Sequence, residues 1–302
     1  AVIWGNEVLI YVGAIIAVLF TVLPIFFIEE PRELKSENND AVAQQKSSIK
    51  DMVESILPLS GFLIYGIYVI VGKLFGLTVA GDIFGLDYIE CACVIIEILA
   101  ILAVLFNATR SSEDNNQFQK ILLAHSFTWW GVQTMNIYMF FYVVNIITGI
   151  AGTEQTVNSM AFLVRDLIGA ILPVLVLNVI AQKAGMAKTH TGSILLMALG
   201  YGLIYFFGAN IYVFFASLVI VGIGWASLVS LPFAIMSERV DQSKMGLYMG
   251  IFNLSVVLPQ LVASFKMGEV VNAAADKSII FAICAVCLLI SGVLWIAVKD
   301  KK

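Results

Sequence analysis

Nine long apolar stretches dominate the chain, at about 7–28, 56–80, 88–107, 120–147, 157–181, 191–208, 211–236, 246–266 and 278–298. Each approaches the roughly 20 residues that carry a helix across the hydrocarbon of a bilayer. The least regular is 56–80, which holds Lys73 and several glycines. Lipid offers no hydrogen-bond partners to the backbone, so a spanning segment satisfies its own amides by coiling into a helix. The alternating pattern of a β-barrel is absent. The expected fold class is therefore all-α, a polytopic transmembrane helical bundle of about nine spans.

Composition excludes the soluble alternative. The 302 residues are 60% hydrophobic and 13% charged, with a mean hydropathy of +0.95, whereas soluble domains hold about 45–50% apolar and about 25% charged residues. No basic patch or stripe offers a nucleic-acid surface. Cys91, Cys93, Cys284 and Cys287 all lie in or beside apolar runs. Cys284-x-x-Cys287 has no second pair, histidine or carboxylate near it and reads as two small apolar residues of a lipid-embedded helix.

Loop charge orients the spans. The connections 29–55, 108–119, 182–190 and 237–245 carry lysine or arginine, and the tail ends Lys299-Asp300-Lys301-Lys302. The intervening connections 81–87, 148–156 and 209–210 carry none, and 267–277, with Lys277 and the neighbouring Lys266, breaks the alternation. The positive-inside rule makes the basic loops and the C-terminus cytoplasmic and places Ala1 outside. The stretch 29–55, mixed in charge and without apolar periodicity, reads as a solvated linker. The chain opens on Ala1 with no basic n-region or small-residue cleavage site, which predicts continuation of a longer protein rather than a secretory signal.

Two stretches carry a family resemblance. Pro232-Phe233-Ala234-Ile235-Met236 is followed by Lys244-Met245-Gly246-Leu247-Tyr248-Met249-Gly250-Ile251-Phe252-Asn253 and then by Val257-Leu258-Pro259-Gln260. This resembles the tenth and eleventh helices of major facilitator transporters of the sucrose and maltose proton-symporter group, relatives of the glycoside–pentoside–hexuronide symporters. Phe127-Thr128-Trp129-Trp130 resembles the aromatic start of the seventh helix there. The resemblance covers about 120–302 and implies these domains: 1–28 as the equivalent of helix six, 29–55 as the cytoplasmic linker, 56–107 as an extra helical pair, and 108–302 as a C-terminal six-helix transporter domain. Helices one to five have no counterpart in the chain, the extra pair has none in the family, and Ala181–Met186 is a degenerate form of the usual loop motif.

Polar groups at membrane depth are costly and face bundle interiors or cavities, and transporters of this architecture bind substrate near the midplane. A sugar calls for amides or charged groups beside an aromatic face. Trp129, Gln133 and Asn136 follow i, i+4, i+7 and share one face; they are candidate substrate-binding residues, with Asn253 and Gln260 on span 246–266. Arg165 and Asp166 are the candidates for proton coupling or gating. Adjacent helical positions point about 100° apart, so each is expected to find its partner elsewhere. Glu97 is expected to pair across helices, through Lys73, or to stay protonated. His125 reads as an interfacial hydrogen-bonding residue, Gly246-x-x-x-Gly250 as a close helix approach, and Pro173, Pro232 and Pro259 as kinks.

The resemblance implies a secondary active transporter in the plasma (cytoplasmic, inner) membrane, moving a disaccharide or related glycoside by alternating access. Its partners are the sugar, a coupling proton or sodium ion, the lipid bilayer and the missing N-terminal half of the transporter. No cofactor, metal or catalytic constellation is expected. A non-transporting sensor or scaffold on the same frame, or a transporter of a uronide or peptide, are the alternatives.

Overall fold

A computed structural model describes residues 52–76, 79–81, 83, 85–108, 110–147, 149 and 152–301, and of the first 51 residues only 11, 12, 15, 18 and 19. Two compact units, residues 1–48 and 49–302, make up the chain. In the first, the five described residues are helical; the rest of the predicted span 7–28, and the predicted linker as far as residue 51, lie outside the described residues.

The second unit is built from helices: α1 (Met52–Phe75), α2 (Tyr88–Leu105), α3 (Glu113–Ile146), α4 (Glu154–Ala184), α5 (Met186–Phe207), α6 (Ile211–Ser237), α7 (Met245–Ala273) and α8 (Ile279–Ile296). Seven are long and apolar enough to cross a membrane. The exception is α3, whose early turns carry Glu113, Asp114 and Lys120 and whose middle carries Gln133 and Asn136. Among the described residues no strand forms beyond one isolated bridge, Ile83 to Leu86. Helix starts follow local chemistry. Asp87 and Glu90 form a capping box on α2, Ser112 caps α3 and Asn210 caps α6, each satisfying amides that a helix start leaves open. The first helix begins earlier than the apolar pattern suggested, at Met52, and closes on Gly76 with φ 65°.

Helix α3 runs through the middle. It packs on α7 and α8, while α5 packs on α6 and α8, α4 on α6, and α1 on both α2 and α7. Its first half (Phe118, Ile121, Leu122) joins one core with Leu59, Met236 and Trp295; its second half (Met135, Met139, Tyr142) joins another with Tyr201, Phe214 and Phe281. The outward faces stay apolar: Leu163, Leu167, Val174, Leu175, Phe206, Val293 and Ile296 are all exposed. That inversion suits a lipid surround, which solvates such side chains and leaves polar groups inside.

The basic connections meet at one end of this unit. Arg239 pairs with Asp114 at 3.0 Å and donates to the Lys299 carbonyl at 2.6 Å. The Lys299 amide donates to Gln117 at 2.9 Å, and Gln119 donates to the Glu54 carbonyl at 2.8 Å. At the opposite end the two lysines that broke the alternation are spoken for. Lys266 lies 2.8 Å from Glu90 and 3.0 Å from Glu269; Lys277 donates to the Val271, Asn272 and Ala274 carbonyls, where a helix C-terminus favours a cation.

Asp300 reaches across the basic end to cap α5, accepting from the Ala187 amide at 2.7 Å. Gly185, at φ 98°, lets the chain turn there, and a Cβ on it would collide with the Asp300 carboxylate. Asp300→Ala removes a cap worth about 0.5–2 kcal/mol. We expect the melting midpoint of the detergent-purified protein to fall by about 2–4 °C per kcal/mol lost; an unshifted midpoint would show that water replaces the carboxylate.

Candidate functional site

The predicted face of α3 exists and looks into the bundle. Trp129 donates through Nε1 to His125 Nε2 at 2.8 Å, which leaves the imidazole proton on Nδ1. His125 itself stacks on Phe252 of α7, with ring centroids 4.6 Å apart at 18°. Seven positions beyond Trp129, Asn136 donates to Gln133 Oε1 at 3.4 Å and accepts at Oδ1 from Arg165 Nη1 at 2.6 Å. Trp129, Gln133 and Asn136 are all partly buried. The row is therefore not sealed in packing.

Arg165 organises the site. It is 5% exposed, yet its guanidinium is well provided for. Nε and Nη2 each lie 2.8 Å from Asp166 Oδ1, Nη1 holds Asn136, and Cζ sits 4.3 Å from the Trp225 ring and 4.9 Å from the Phe162 ring. This corrects the expectation that Arg165 and Asp166 look elsewhere. The long arginine arm folds back over the intervening angle, because a buried cation left without a counterion would cost far more than a bent side chain. Asp166 keeps its side chain 51% exposed, so the pair has one dry and one open member.

Two glycines let α4 and α6 come close enough for the guanidinium to reach the indole. A Cβ at Gly169 would lie 2.5 Å from Trp225 Cδ1, and one at Gly222 would lie 2.7 Å from Ile168 Cβ. Trp225 in turn meets Trp129 edge-on at 6.2 Å. Trp129, Gln133, Asn136, Arg165 and Asp166 thus gather with Trp225 into one polar–aromatic seam across α3, α4 and α6. Sequence reasoning missed Trp225; its setting in Gly222-Ile223-Gly224-Trp225, a bulky ring beside two small residues, was the available signal.

The other candidates fall elsewhere. Asn253 and Gln260 are exposed on α7 and make no side-chain hydrogen bond among the described residues; Phe252, beside Asn253, is the link to the seam through His125. Glu97 accepts from the Gly61 amide at 3.0 Å, while Lys73 lies over the Phe265 ring instead, 5.6 Å from its centroid. The carboxylate thus serves a close crossing of α1 and α2, where a Cβ on Gly61 would lie 2.6 Å from the Cys93 carbonyl. Gly246 and Gly250 meet nothing within 4 Å, so the expected close approach there is not made among the described residues. Pro173 opens a turn of π-helix, Pro173–Leu177, in α4, the widening that a missing amide and a displaced carbonyl favour. Cys284 donates to the Gly131 carbonyl at 3.1 Å, and Cys287 is buried.

A bundle with an apolar exterior and a buried, partly open polar seam defines an integral membrane protein of the polytopic α-helical kind. The chain belongs to the MFS/sugar transport protein family, which it matches over residues 103–275. Its fold is similar to that in a crystal structure of an auto-inhibited POT family peptide transporter, with a TM-score of 0.51 and 16% identity over 62% of this chain and 39% of that one. It is similar also to an in meso crystal structure of the POT family transporter PepTSo, with a TM-score of 0.50 and 16% identity over 59% of this chain and 36% of that one. The chain thus matches well under half the length of these structures. No curated protein is matched by the sequence.

Proposed function

We propose that this chain works as part of a secondary active transporter, and that its substrate is a disaccharide or related glycoside moved together with a proton by alternating access. The observation that carries the reading is the seam: two indoles and two amides around an ion pair, on three helices of the bundle. An indole face suits the C–H side of a pyranose, and amides suit its hydroxyls. Asp166 already neutralises Arg165, which favours a neutral ligand over a carboxylate. Membership of the MFS/sugar transport protein family points the same way. In this reading Trp129, Gln133 and Asn136 bind the sugar, Asn253 and Gln260 stay outside the seam on the exposed face of α7, and Arg165 and Asp166 couple or gate. Residues 108–302 act as the six-helix half of the transporter, 56–107 as an added pair, and the basic end with the C-terminus faces the cytoplasm.

Counterflow of labelled maltose or sucrose in proteoliposomes containing the intact transporter tests this proposal. Exchange is expected, and its absence with every mono- and disaccharide would favour a sensor or scaffold instead. Exchange of a dipeptide or uronide in its place would move the substrate class, a reading the peptide-transporter likeness of the fold keeps in play. Asp166→Asn is expected to remove uptake driven by a proton gradient while leaving counterflow standing, since exchange needs no net proton movement. Unchanged proton-driven uptake would end the coupling role of Asp166.

A further inference from the structure

A cleft of about 450 Å³ opens at the end of the second unit away from the basic loops, between α1, the turn before α2 and the last turns of α7. This volume lies within the about 300–1,000 Å³ typical of small-molecule sites. It shares no residue with the seam. Three observations bear on what would fill it.

The first is an unanswered hydroxyl. Tyr65 lines the cleft, is 6% exposed, and its hydroxyl has no hydrogen-bond partner among the described residues. The hydroxyl opens to the cleft, so it is free to donate to, and accept from, a molecule that enters. Its neighbour Tyr68, one turn on, is by contrast committed, donating to Asp87 at 2.5 Å.

The second is the state of the wall charges. Two lysines, Lys73 and Lys266, stand against Asp87, Glu90 and Glu269. Lys266 is consumed by Glu90, Glu269 and the Gly85 carbonyl, and Asp87 by Tyr68 and the α2 cap. Lys73 has no carboxylate within ion-pair distance among the described residues and keeps its three donors, and Glu269 remains 71% exposed and able to accept. An anionic ligand would meet three carboxylates and a cationic one two ammonium groups. A neutral polyhydroxyl ligand takes both donors and acceptors without a net charge to compensate.

The third is an apolar face within the same wall. The Phe265 ring lines the cleft beneath the Lys73 ammonium, an apolar contact for the C–H groups of a sugar next to donors and acceptors for its hydroxyls. We infer that this cleft is a second, peripheral binding site for a neutral sugar, built by α1 and the end of α7, with Tyr65 and Lys73 as its donors and Phe265 as its apolar contact. The inference rests on the wall chemistry and uses no step of the transport reading.

Equilibrium binding of tritiated maltose to the purified chain in nanodiscs tests it, in wild type and in a Gln133→Ala background that disables the seam. Binding is expected to survive in Gln133→Ala and to weaken about fivefold in Gln133→Ala/Tyr65→Phe, the loss of one hydrogen bond between neutral groups. Gln133→Ala/Lys73→Ala should lose affinity as well, with melting midpoints of both double variants matching the parent. Glucose is expected to displace maltose at least as well as glucosamine or glucuronate, its charged counterparts of similar size. No maltose binding in the Gln133→Ala protein, or binding indifferent to both cleft substitutions, would overturn the site. Preference for either charged sugar would overturn the neutral class. The transport reading stands or falls separately on counterflow, which Tyr65→Phe is expected to leave intact.

Discussion

Arg165→Ala is expected to lower sugar counterflow in the intact transporter by about a hundredfold, and Arg165→Lys is expected to recover little of it. The guanidinium holds Asn136 at 2.6 Å and Asp166 at 2.8 Å while lying on Trp225. A hydrogen bond to a charged group contributes about 1.5–3 kcal/mol, and a desolvated cation–π contact about 2 kcal/mol. The ion pair adds less than a fully buried one because half of the Asp166 side chain is open to its surroundings. These terms share one group and do not add, so a loss near 3 kcal/mol is the reasonable sum, about two orders of magnitude in rate. Lysine keeps the charge but has neither the planar fork that serves Asn136 and Asp166 together nor the flat face that rests on Trp225. A lysine variant with wild-type exchange would show that charge alone matters. The melting midpoint separates the two ways of failing: a variant that folds normally and does not exchange has lost positioning at the seam, whereas one that does not fold has lost a structural tie between α3 and α4.

Much of this arrangement was legible in the sequence, and the reasons for the rest are specific. Apolar length gave the helices from α2 to α8, because a span must bury its amides whatever its neighbours do. The basic loops gave the shared end where Arg239, Asp114 and Lys299 now meet. Periodicity gave the Trp129, Gln133, Asn136 face, since positions four and three apart stack on any helix. Pairing was harder to read. The backbone angle between Arg165 and Asp166 is real, but the length of an arginine side chain overrides it. Trp225 joined the seam through a crossing of α4 and α6 that no single-helix pattern contains. Lys73 turned to Phe265 rather than to Glu97 for the same reason: which faces meet is decided by packing. The two lysines at the far end broke the charge rule because Glu90, Glu269 and free carbonyls answer them locally.

The glycines show the same limit and supply the last expected result. The sequence directed attention to Gly246 and Gly250 by their spacing, yet both face open space among the described residues. One tight crossing is instead at Gly131, where α3 meets α8. A Cβ there would run into Leu288 Cδ2 and lie 3.1 Å from both the Cys284 carbonyl and Cys287 Cβ. Leu288 could rotate away, but the Cys284 carbonyl is helix backbone and accepts no such shift. The same contact holds the Cys284 thiol on the Gly131 carbonyl at 3.1 Å, so pushing the helices apart also breaks a buried polar contact. Overpacking by one or more carbons costs about 1–3 kcal/mol where side chains can adjust, and more is expected where backbone must move. Gly131→Val should therefore cut the yield of monodisperse, detergent-solubilised protein more than tenfold. Gly246→Val and Gly250→Val should leave it near wild type. Size-exclusion chromatography of the three variants, expressed side by side, makes the comparison. If Gly250→Val failed and Gly131→Val did not, the α3–α8 crossing would not be the joint that sets this bundle. The contrast works because all three changes replace glycine by the same residue inside a helix. Local propensity is thereby held constant, and what remains is the distance to the next helix.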